Sequence, residues 1–110
     1  MAGFEPYARD AEAIEREIVT RGLVLGIDWQ DTAQVGLLAR ELSEGGPDHV
    51  ERLVRSRDPR ERARGELFAF AILMQQTMAE SAERGIHTHG GTVWKSFGRA
   101  LIERGSRHER

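Results

Sequence analysis

Eight consecutive residues of this chain, Leu67-Phe68-Ala69-Phe70-Ala71-Ile72-Leu73-Met74, are apolar. Across two turns of helix such a run leaves no polar side, so the segment reads as a helix enclosed by neighbours rather than one lying on a surface. It falls well short of the roughly 20 apolar residues that a membrane span needs, so protein has to do the enclosing. Six of its side chains are large. At about 2 kcal/mol each on burial, leaving a third of them wet would cost about 4 kcal/mol. A small domain's whole stability is only about 5 to 15 kcal/mol. The expectation is a central helix shielded on every side.

Within and beyond that run, Leu67, Ala71, Met74 and Met78 follow a four-three-four spacing, the seam expected where a helix packs nearly parallel to another. The seam faces either a helix of the same chain or a second copy. The other apolar faces of the sequence are narrow. Homodimerisation through Leu67, Phe70, Ala71, Met74 and Met78 is therefore an expectation to test.

The remaining periodicity is helical as well. Tyr7, Ala11, Ile14 and Ile18 form one face of a helix over about 7–21 that Gly22 is expected to end. Residues 23–27, Leu-Val-Leu-Gly-Ile, read as a buried irregular link whose β-branched content would also suit a short strand. Asp28 is the expected cap of a second helix, with Asp31 adding charge to its first turn and Ala33, Leu37, Leu38 and Leu42 facing inward. Trp29 is expected to fold back on that helix. Gly45-Gly46 should end it, and Pro47 opens a short third helix carrying Val50, Leu53 and Val54.

Asp58-Pro59-Arg60-Glu61 combines a capping side chain, proline at the first helical position and glutamate at the third, and predicts a long helix to about Arg84. Gly65 marks a point where that helix could kink or split. After a loop over 85–91, Thr92 is the expected cap of a final helix with Val93, Trp94, Phe97, Leu101 and Ile102 inward, fading at Gly105 and leaving 106–110 as a disordered tail. The expectation is one all-α domain over 1–110, a compact bundle of four to five helices.

Chain-wide properties narrow the function classes. The sequence has no cysteine, which removes thiolate metal sites and cysteine nucleophiles and fits a reducing compartment such as the cytoplasm. The first residues lack the basic-then-apolar pattern of a secretory signal. Residues 84–110 carry six Lys or Arg against two Glu, while 1–83 carry ten against sixteen acidic residues. That asymmetry makes Lys95, Arg99, Arg104 and Arg107 candidate phosphate contacts for a nucleic-acid-binding alternative. The turn at Gly45-Gly46 superficially suggests a helix-turn-helix, but Asp48 and Glu51 stand where a recognition helix would meet DNA.

His87 and His89 form the candidate metal pair, because imidazoles two apart in a loop can point to one side. Glu80 and Glu83 could add oxygen ligands, and His87 or His89 beside Glu83 could serve general acid–base chemistry in an enzyme. The spacing matches no zinc motif, and the glycines over 85–91 lack the strand and lysine of a phosphate-binding loop. The sequence favours a non-enzymatic, cytoplasmic helical protein that works through protein contacts and self-associates, with no cofactor. Nucleic-acid binding and a histidine metal site stand as the alternatives.

Overall fold

A computed structural model describes residues 5–83 and 91–108, the side chains of 5–9, 81 and 104–108 excepted. Four helices account for nearly all of it: α1 over Glu5–Leu25, α2 over Thr32–Val54, α3 over Pro59–Glu83 and α4 over Thr92–His108. Among the described residues there is no strand. The expected second and third helices form one element, broken at Gly46, whose backbone is left-handed (φ 67°, ψ −169°) just before Pro47. Only a glycine enters that region without the β-carbon penalty, so the break falls where the sequence puts it. The helix resumes at once.

α1 outruns its expected end. Gly22 stays helical and the element continues to Leu25, so the segment 23–27 is neither a link nor a strand until Gly26 turns left-handed at φ 70°. The amide of Ile27 then bonds the Gly22 carbonyl at 2.9 Å and that of Gly26 the Leu23 carbonyl at 3.3 Å. This pair of bonds defines a Schellman stop, displaced four residues along from the glycine expected to supply it. Arg60 of α3 closes the two carbonyls left over, donating to Val24 at 3.2 Å and Leu25 at 3.3 Å.

Gly22 serves a different purpose. Trp29 lies against it so closely that a β-carbon there would sit 3.0 Å from the indole Nε1. The indole then tilts onto Phe97 of α4, ring centres 5.4 Å apart, while the Trp29 carbonyl accepts from Ser96 Oγ at 2.9 Å. Trp29 thus ties α1 to α4 instead of folding back on α2.

α2 begins at Asp31 rather than Asp28: its carboxylate accepts from the amides of Ala33 and Gln34 at 3.1 and 3.2 Å. Gln34 reaches back to the Asp28 amide at 2.8 Å. α3 starts as its sequence predicts, with Asp58 accepting from the Arg60 amide at 2.9 Å and Glu61 reaching back to Ser56 Oγ at 2.6 Å. There is no kink at Gly65. The missing side chain instead lets α2 approach α3, because a methyl group there would lie 2.6 Å from the backbone nitrogen of Val54.

α4 has the least local start. Its first turn is capped by Glu15, far away on α1, whose two carboxylate oxygens accept from the amides of Gly91 and Trp94, each at 2.8 Å. Thr92 is exposed and is the first helical residue. The backbone of α4 stays helical past Gly105 to His108, into the stretch expected to be a disordered tail. Glu15→Ala is expected to lower stability by about 1 kcal/mol, the usual cost of losing a helix cap. Thermal melting measures it, and an unchanged midpoint would count against the cap.

α3 packs against α1 and α2, and α4 packs chiefly on α2. Arg21 couples α1 to α3 by pairing with Glu17 and with Glu66 while lying over the Phe70 ring, 4.8 Å from its centre. Leu67, Phe68, Ala71 and Met74 are wholly buried, joined in the core by Ile18, Val35 and Phe97. Enclosure on every side does not hold, however. Leu73 is 45% exposed, and Ala69, Phe70 and Ile72 are only half-buried. α4 touches α3 too slightly to cover the remaining face.

The radius of gyration, 13.8 Å, matches the roughly 13 Å of a compact chain of this length. No described helix is long and apolar enough to cross a membrane. Among the described residues, Trp94 Nε1 is buried with no acceptor. Trp94→Phe removes that donor at the cost of some packing, two effects of about 1 kcal/mol that oppose each other. The expected melting midpoint is close to that of the parent, and a loss as large as that of a truncation to alanine would show that the indole nitrogen is satisfied.

Candidate interaction surface

α2 carries two adjacent leucines, Leu37 and Leu38, and only one can face the core. Val35, Leu38, Ala39 and Leu42 are buried, an i, i+3, i+4, i+7 pattern that settles the inward face. Leu37, expected to point inward, is turned out and is 65% exposed. Ile102 of α4, placed on the same expectation, is 58% exposed, and Leu23 of α1 reaches 77%.

Leu37 stands as a ridge between two grooves. One, of about 450 Å³, runs between α2 and α4, with Gly36 and Ala100 on its walls and Arg40, Arg99 and Glu103 at its edges. The other, of about 480 Å³, lies between α2 and the corner where α1 ends and α3 begins. Leu25, Ile27, Leu37 and Leu38 line it with Arg60 and Arg64.

At the second groove charges are arranged, not scattered. Glu41 is held from two sides, by Arg64 at 2.8 Å and by His49 Nε2 at 2.8 Å, and the His49 ring faces Phe68 with centres 6.4 Å apart. The turn leading into α3 is rich in arginine: residues 52–64 hold six arginines against two carboxylates. Arg55 pairs with Glu51 at 2.8 Å, and Arg62 donates to the carbonyls of Ser56 and Arg57. Sequence reasoning looked for positive charge only near the C-terminus. The composition of 52–64 carries the signal that would have found this cluster.

Leu67, Ala71 and Met74 are buried within a single copy, while Phe70 and Met78 are half-buried, so the chain's own helices fill the four-three-four seam. Lys95 and Arg99 are exposed one turn apart on α4. The side chains of Arg104 and Arg107 lie outside the described residues, as do His87 and His89. Glu80 and Glu83 are exposed near the end of α3, and among the described residues no group of three His, Asp or Glu is placed to hold a metal ion.

By architecture the chain is an all-α protein of four helices. In comparison with known proteins it matches no family model, no curated protein and no solved structure.

Proposed function

We propose that this chain is a non-enzymatic, cytoplasmic helical protein that works by binding other protein, either a different chain or a second copy of itself. The observation that carries the reading is Leu37, a large apolar side chain held out on α2 between two grooves. Single exposed leucines are common, but one flanked by concave surfaces on both sides supplies the combination of protrusion and pocket that contact anchors use. Self-association, if it is the mode used, has Leu23, Leu37, Leu73 and Ile102 as exposed apolar contacts, with Phe70 and Met78 half-buried beside the buried Leu67, Ala71 and Met74.

Sedimentation of the tagged chain in native extract, beside the purified chain in buffer, tests the reading. The expected result is a species heavier than one copy that Leu37→Ser or Leu23→Ser reduces without altering the melting midpoint. A chain that sediments as a single copy in both settings would overturn it.

A further inference from the structure

We propose that the groove at the corner of α1, α2 and α3 receives an acidic amphipathic helix from a partner protein. This rests on the protein-contact reading and assigns it a surface and a chemistry. The apolar part of the groove is lined by Leu25, Ile27 and Leu38 with the Leu37 ridge at its side, suited to anchors spaced i, i+3, i+4 and i+7 on one face of an incoming helix. Strand addition to a sheet edge has no place to occur among the described residues, which contain no strand.

The sign of the partner follows from the walls. Arg60 and Arg64 stand over the floor, and the arginine-rich turn of 52–64 leads up to them. The one carboxylate lining the groove, Glu41, pairs with Arg64 and offsets that charge, so the positive surplus comes from Arg60 and the other arginines of 52–64. Arg60 donates to the Val24 and Leu25 carbonyls at the C-terminal end of α1, where the helix dipole offsets part of its charge, and Arg62 donates to the carbonyls of Ser56 and Arg57, so neither spends these bonds on a carboxylate. Cationic groups around an apolar trough favour glutamate and aspartate flanking apolar anchors, and steer them in at low salt. The chain's own acidic helix α1 is not a candidate occupant, because its apolar residues Ala11, Ile14 and Ile18 are buried in the core.

The probe is a fluorescein-labelled helical peptide of leucine and glutamate with leucines at those spacings, titrated into the intact chain and followed by anisotropy. Saturable binding is expected, strengthened at low salt. Leu37→Ser should weaken it about tenfold, the equivalent of roughly 1.4 kcal/mol. Arg64→Gln should weaken it and flatten its salt dependence, while Leu23→Ser, outside the groove, should leave it unchanged.

A version with lysine for glutamate should bind far more weakly. Equal binding of that version, or indifference to Leu37→Ser, would overturn the groove assignment while leaving the heavier species in extract to stand or fall separately. Displacement of the peptide by duplex DNA, with duplex binding unaffected by Leu37→Ser, would overturn it in favour of a phosphate-binding arginine surface.

Discussion

Phe97→Ala is expected to destabilise the protein by about 3 to 5 kcal/mol, the range for emptying a fully buried aromatic site. Phe97 is wholly buried and sits where α4 meets the rest of the molecule, with the Trp29 indole tilted against it. Trp29 cannot move in to fill the space, because it is lodged against Gly22 on its other side and its carbonyl is held by Ser96. The cavity should therefore persist, and that is the condition under which truncation costs most. Chemical denaturation of the two proteins measures the difference. A loss below about 1 kcal/mol would mean that the site collapses, and the described packing of Trp29 would be wrong.

Gly65→Ala is the second large effect, and its sign runs against helix propensity. Alanine in a helix interior is worth about 1 kcal/mol over glycine. At Gly65 the added methyl would meet backbone as well as side chain, 2.6 Å from Val54 N and 2.9 Å from the Leu53 carbonyl carbon. Neither atom can rotate away, so α2 has to separate from α3, an overpacking cost of about 1 to 3 kcal/mol or more. Because the clash is with backbone, the cost falls at the upper end of that range and leaves a net loss of up to about 2 kcal/mol.

Gly36→Ala provides the contrast. Gly36 is also inside a helix, but a methyl there meets nothing within 4 Å, so the same substitution is expected to raise stability by up to about 1 kcal/mol. Melting curves of both variants decide it. A stabilised Gly65→Ala would show that the α2–α3 approach is not as close as described.

What was legible in the sequence was local. Asp58 caps α3 because its amide partner is two residues away, and Ala11, Ile14 and Ile18 face inward because their spacing leaves no other face. Gly46 and Pro47 mark a real break, since both conformational constraints act within one residue. The readings that failed needed knowledge of distant partners. Nothing near Thr92 signals that Glu15 will cap its helix. Gly22 and Gly65 read as helix ends or kinks, when each is a place where another element comes close.

Leu37 was misplaced for a related reason: with Leu38 beside it, only the positions of Val35, Ala39 and Leu42 decide which leucine turns inward. The same limit applied to the contact surface. Of the expected interface around Phe70, Leu67, Ala71 and Met74 are buried in one copy while Phe70 and Met78 are half-buried, and the groove at Leu37 exists only once α2 meets the end of α1 and the start of α3. The enclosure expected of that run also fails at Leu73, because it presumes a third neighbour that α4 does not supply.

The reach of Glu15 has a kinetic meaning. Its bonds to Gly91 and Trp94 span 76 and 79 residues of sequence, so the opening turn of α4 gains its acceptors only when nearly the whole chain has closed upon α1. Those two amides are natural gauges of that closure. Hydrogen exchange at Gly91 and Trp94 should keep pace with the parting of α1 from α4, slowing together when the first helix is seated and quickening together when it lifts.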